Sequence, residues 1–161
     1  MERKGFTVIE LLVVVAIIGL LASVVLASLN SARAKARDAR KQADFRAIST
    51  ALQLYFDKTG SMPANFNPCC GVTEGDGNYE RSMQELVDAG FLPQIPRSPG
   101  GAKYSWYNYG GGGNIGGLMV TTLETVPNST TGIPPSCRPW APAANWCSQL
   151  SNQEYCICNL Y

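Results

Sequence analysis

A chain of 161 residues allows one domain, or one long element carrying a small domain. Its formal charge of +1 provides no global field to attract nucleic acid or an acidic substrate. The absence of histidine removes the commonest general base, the commonest metal ligand and every Ser-His or Cys-His dyad.

Taken in chain order, the first element follows a short polar tip, Met1–Gly5, and is apolar. Leu11–Leu29 carries no charge and only Gly19, Ser23 and Ser28 as interruptions. Residues 6–29, at about 1.5 Å each, span roughly 36 Å, enough to cross a hydrocarbon core of about 30 Å. A buried core helix is the plainer alternative. A secretory signal peptide is another, because Arg3 and Lys4 precede the run and Ala32-Arg33-Ala34 resembles a cleavage site. The run is longer than the usual apolar region of about 7–15 residues, however, and has an acid, Glu10, at its start.

The helix is expected to continue through 30–60. Ala32, Ala36, Ala39, Ala43, Ala47, Ala51 and Tyr55 recur every three or four residues, joined by Ile48 and Leu52. That stripe is predicted to face a domain. Arg33, Lys35, Arg37, Arg40, Lys41 and Arg46, with Asp38 and Asp44, are assigned to the opposite face. Lys58-Thr59-Gly60 reads as a basic last turn with a left-handed cap, and Pro63 follows. The rod from Phe6 to Lys58 would be roughly 80 Å long.

Residues 61–161 are rich in Gly, Pro, Asn, Ser and Cys, as a small β-rich domain with a Cys-rich tail would be. Ser82–Ala89 reads as a short helix ended by Gly90. Tyr104–Tyr109 and Leu118–Leu123 read as the strands of a hairpin around the glycine-rich stretch Gly110–Gly117. Beyond Val126, five prolines argue for irregular chain. The expected fold is therefore α+β, with a long N-terminal helix on a small antiparallel sheet.

The six cysteines all lie beyond Asn67, and so many in a short chain fit an oxidising compartment. Cys69, Cys70, Cys137, Cys147, Cys156 and Cys158 lack the CxxC pairs of a zinc site. Three disulfides have 15 connectivities. A bond between Cys69 and Cys70 is strained, and Cys156 and Cys158 share one face of a strand without facing each other. The economical scheme is Cys137–Cys147 locally, with two long bridges from Cys69/Cys70 to Cys156/Cys158.

The loop from Glu74 to Glu80, with Asp76 between, is a weak calcium candidate off EF-hand spacing, and a solvated loop is the plainer reading. No other metal or cofactor is implied. The basic stretch Arg33–Lys41 offers charge to DNA or anionic lipid but has no interleaved aromatics, so a solvated or subunit-contacting face is preferred. Asn128-Ser129-Thr130 is a glycosylation sequon, and Trp140 and Trp146 could form a surface patch or cap a small core.

The start, GFTVIELLVVVAIIGLLA, resembles the class III signal of type IV prepilins and type II secretion pseudopilins. A carboxylate at the head of a spanning helix is costly unless paired, so Glu10 is the most telling residue in the match. DKTGSMP, LVDAGFLPQIPRSP and KYSWYNYG with GGLMVTTLE resemble further segments of the secretion-type branch. The resemblance implies a leader, residues 1–5, cut by a prepilin peptidase between Gly5 and Phe6, with Phe6 then N-methylated. It implies that Glu10 matches the Phe6 amine of a neighbouring subunit during assembly. The partners would be other pilin or pseudopilin subunits, the peptidase, the inner-membrane assembly platform and the membrane. The protein would be a single-pass inner-membrane protein with an extracytoplasmic C-terminal domain, periplasmic or extracellular once assembled. It would have no catalytic residues and no enzymatic activity. A minor tip pilin acting as adhesin or DNA-uptake module is the alternative.

Two features depart from the family pattern. Ala27 stands where many pilins have a helix-loosening proline, and the calcium-binding C-terminal loop of major pseudopilins is not evident. The six Lys/Arg between Arg33 and Arg46 outnumber Arg3 and Lys4, so the positive-inside rule favours a cytoplasmic domain. The cysteines and the family topology favour the opposite orientation.

Overall fold

A computed structural model describes residues 5, 7–64, 71–108, 116–125 and 154–160. One helix, α1, runs unbroken from Val8 to Thr59. Its 52 residues make a rod of about 78 Å. Nothing in the run forbids helix, since it contains no proline and its lone Gly19 costs only about 1 kcal/mol. The rod ends where the sequence predicts. Gly60 takes the left-handed conformation (φ 73°) and its N–H donates to Phe56 O at 2.7 Å.

Beyond α1 the chain forms β1 (Val72–Thr73), α2 (Asn78–Asp88), β2 (Ser105–Asn108), β3 (Gly116–Thr122) and β4 (Glu154–Leu160). The four strands make one antiparallel sheet in the order β1-β2-β3-β4. The predicted hairpin is β2–β3, paired Ser105↔Val120 through Asn108↔Gly117. The tail is not irregular throughout: β4 pairs with all of β3, from Gly116↔Leu160 to Thr122↔Glu154. EYCICNL contains no proline, so the prolines upstream of it set no limit on this strand.

The second helix begins four residues before the expected Ser82. Asp76 Oδ1 accepts from the N–H groups of Asn78 and Tyr79, both at 2.8 Å. Glu80 reaches back to the N–H of Gly77 at 3.1 Å. These carboxylates satisfy the free amides of the first turn, where negative charge also suits the helix dipole.

The core lies between one face of the sheet and the two helices. Phe45, Ile48, Ala51 and Leu52 of α1 meet Tyr79, Met83 and Leu86 of α2 and Val72, Trp106 and Met119 of the sheet. Trp106 lies on Gly117, where an added Cβ would come within 1.9 Å of its ring. Phe45 packs edge-on against Tyr104, with ring centroids 5.0 Å apart.

The predicted stripe faces the domain only in its upper part, at Ile48, Ala51, Leu52 and the half-buried Tyr55. Ala32, Ala36, Ala39, Ala43 and Ala47 are exposed, and of that series only Ala51 is buried. Ile48 and Leu52, joined to that series in the sequence, are buried as expected, but the buried face continues toward the head of α1 through Phe45, Lys41 and Asp38, on the other side of the rod from Ala47, Ala43 and Ala39. Both stripes have helical spacing, but burial stabilises in proportion to apolar area, which favours Phe, Ile and Leu over Ala. The acid and the base within the winning stripe masked it in the sequence.

Candidate assembly site and its supporting domain

The head of α1 is a capping box. Thr7 is the N-cap; its Oγ1 accepts from the Glu10 N–H at 3.3 Å, while Glu10 Oε2 accepts from the Thr7 N–H at 2.8 Å. The Thr7 hydroxyl also donates to Glu10 Oε2 at 2.8 Å. The carboxylate that the sequence marks as unpaired thus has a partner within its own chain, folded back toward the helix start. Thr7 went unrecognised in the sequence analysis, although Thr-x-x-Glu before an apolar run is the signature of this box. Gly5 is exposed, and Phe6 lies outside the described residues.

From Val8 to Leu29 the large apolar side chains are all exposed; Val8 is 74% and Leu20 67% accessible. α1 is the one described helix long and apolar enough to cross a membrane, and its most apolar stretch is not buried inside the protein. So large an uncovered apolar surface requires lipid or other protein around it. No proline interrupts this half; Ser23 Oγ donates to Leu20 O at 2.7 Å within the helix.

The upper half of α1 holds the domain by a polar clasp as well as by its core residues. Asp38 accepts from the N–H groups of Glu124 and Thr125 and from Thr125 Oγ1, at 2.7–2.8 Å. Lys41, fully buried, donates to Thr122 O at 2.9 Å and stands 3.8 Å from Glu124. Arg37 Nε donates to Glu124 Oε1 at 2.8 Å, and Nη2 binds the other oxygen. Burial opposes ionisation of Asp38, but the hydrogen bonds from Thr125 and Glu124 and the nearby Lys41 outweigh it and hold its carboxyl below the ordinary value. The hydrogen bond from Arg37 likewise holds Glu124 low. Arg37 and Lys41, assigned from sequence to the face away from the domain, therefore turn toward it.

The acidic loop is built as an anchor. Asp76 accepts from the Thr73 N–H at 2.7 Å besides capping α2, and Glu80 also takes the Gly75 N–H at 2.9 Å. Glu74 accepts from the Ser98 N–H at 3.1 Å, and Arg97 lies 3.2 Å from Glu80 and 3.9 Å from Glu74. The three carboxylates are spent on amides and Arg97, and no cluster suited to a metal ion occurs among the described residues.

Cys156 and Cys158 lie on β4, paired with Val120 and Leu118. They share the sheet face turned away from α1, packed with Leu118, Val120 and Tyr107. Gly71 reaches the same face, where a Cβ would come within 2.4 Å of the Tyr107 ring. No described cysteine is a free thiol. Cys69, Cys70, Cys137, Cys147, the Asn128 sequon, Trp140 and Trp146 lie outside the described residues.

A long helix with an uncovered apolar half, a capped acid at its head and a small antiparallel sheet on its upper half defines a prepilin-type protein. A family profile described as the prokaryotic N-terminal methylation motif matches residues 1–26. The type II secretion system core protein G of Vibrio cholerae is 30% identical over 114 residues, covering 71% of this chain and 77% of that protein. The protein of the same description from Klebsiella pneumoniae is 26% identical over 132 residues, 82% of this chain and 93% of that protein. In Escherichia coli it is 28% identical over 115 residues, 68% and 74% respectively. No solved structure matches. The chain belongs to the family of type II secretion core protein G, the prepilin-type pseudopilins.

Proposed function

We propose that this protein is a structural subunit of a type II secretion-type filament, inserted in the inner membrane through the lower half of α1 and assembled through that same helix. One observation carries the reading: a charge-free, exposed apolar half-helix headed by Thr7 and Glu10, on a chain related to core pseudopilins. The domain stands on the extracytoplasmic side, as its cysteine content favours. The relatives are core components, which disfavours the minor tip-subunit alternative.

A prepilin peptidase cuts between Gly5 and Phe6, and the new Phe6 amine is methylated. In the packed filament that ammonium and a neighbour's Glu10 carboxylate, both cut off from water, stabilise each other only in the correct axial register. The Thr7 cap supports a sharper version. Before assembly the carboxylate is satisfied internally, so docking exchanges one set of donors for another and the pair acts as a gauge of register. Disulfides from Cys69/Cys70 to Cys156/Cys158 are part of the same reading, supported by Gly71 and both β4 cysteines sharing one sheet face.

Intact-mass analysis of assembled protein should show loss of Met1–Gly5 and one added methyl; full-length chains in functional filaments would sink the processing step. Glu10→Ala should still be inserted and cleaved but assemble poorly or out of register, with Glu10→Gln intermediate. Normal yield and unchanged helical parameters in Glu10→Ala filaments would remove the gauge role.

A further inference from the structure

The basic stretch above the span divides into two groups once the side chains are placed, apart from Arg40, which stands 3.9 Å from Asp44 on its own helix. Arg37 and Lys41 are consumed by the clasp on Thr122–Thr125. Arg33 and Lys35 are exposed, and neither has an ion pair among the described residues. No acidic residue lies between Glu10 and Asp38, so nothing on this part of the rod offsets them.

Their height is set by the helix. Leu11–Leu29 at about 1.5 Å per residue is roughly 28 Å long, close to the ~30 Å hydrocarbon core. With Leu29 at its edge, Arg33 stands about 6 Å and Lys35 about 9 Å above it. The headgroup layer of one leaflet is about 5–8 Å deep. Among the described residues, the lowest hydrogen bonds between the domain and α1 are those of Arg37 and Asp38, about 12 Å up and above the headgroup layer.

We infer that Arg33 and Lys35 form a collar that binds anionic phospholipid headgroups in the leaflet beneath the domain and sets the depth of the unassembled subunit. The two side chains leave the axis about 200° apart. A protein or DNA surface would read one side of the rod, whereas a planar layer of phosphates surrounds it. The collar goes beyond the filament reading and rests on the span alone. The subunit must leave these contacts when it enters a filament, so they oppose extraction until assembly contacts replace them.

The test uses the full chain carrying Arg3→Gln and Lys4→Gln, so that the leader, its Met1 ammonium offset by Glu2, contributes no net charge. It is reconstituted in zwitterionic vesicles containing a minor fraction of phosphatidylglycerol. Spin-labelled phosphatidylglycerol and phosphatidylcholine report the association of each lipid with the protein. Each cation at the surface contributes roughly a fivefold preference for anionic lipid. That preference should be several-fold, should weaken at high salt, and should fall close to unity when Arg33→Gln and Lys35→Gln are added. Lys58→Gln with Lys103→Gln removes two exposed cations elsewhere and should leave it intact. An unchanged preference without Arg33 and Lys35, or an equal loss in the Lys58/Lys103 control, overturns the collar. So does short duplex DNA displacing the labelled lipid, which would assign these cations to nucleic acid. None of these results depends on filament formation, so the subunit reading stands or falls separately by its mass and assembly tests.

Discussion

The two halves of α1 have the same backbone and opposite surroundings. Below Leu29 every large apolar side chain is exposed, while above Arg37 one stripe is fully buried against the sheet and α2. Helical geometry is therefore no guide to where a helix is stabilised. The lower half leaves its apolar surface for lipid and neighbouring subunits. The upper half meets that need within the chain, and buries an acid and a base in doing so.

The contrast breaks most sharply at Phe45. Phe45→Ala empties a site between Tyr104 and Tyr155 and should destabilise the domain by about 3–5 kcal/mol. Ile17→Ala, in the exposed half, should leave domain stability within about 0.5 kcal/mol of wild type. Denaturant unfolding of the detergent-solubilised chain measures both, and equal losses would mean that the halves are not energetically separate.

Next in size is the clasp. Asp38→Ala leaves the amides of Glu124 and Thr125 without their acceptor and Lys41 with Glu124 as its remaining acid, a loss of about 3 kcal/mol. The pH dependence should agree. Asp38, Glu124 and Asp76 all have carboxyls held below their ordinary values in the folded chain. Their contribution is complete above the unfolded values of about 3.9–4.3 and is lost as pH falls through the folded ones. The unfolding midpoint should therefore be flat above about pH 5 and fall below about pH 4. Glu124→Gln should make that fall shallower; an identical acid limb in both proteins would exclude Glu124 from the effect.

The smallest effect on the monomer belongs to the outward alanines. Ala43→Leu should change domain stability by no more than about 0.5 kcal/mol, because the site is open. If neighbouring rods approach closely along this face, filament yield should drop. Unchanged stability with unchanged filaments would mean the face borders only solvent.

Much of this molecule was legible in residue order, because the deciding forces there are local. The absence of charge from Leu11 to Leu29 sets a spanning length, Gly60 ends the rod because only it takes the left-handed cap without strain, and Glu10 declares itself by its cost in an apolar run. The β2–β3 hairpin follows from two strand-like runs around glycines. The face of α1 that holds the domain was decided only by the tertiary structure. Two stripes with the same period compete in residues 32–47, and the one containing Asp38 and Lys41 wins because Thr122, Glu124 and Thr125, more than eighty residues away, supply partners for both charges. The pairing of β4 along β3 and the use of Asp76 and Glu80 as caps rather than solvated acids were decided there too. A polar residue's affinity for the interior depends on donors and acceptors brought by distant chain, and hydrophobic periodicity counts only what each residue brings by itself.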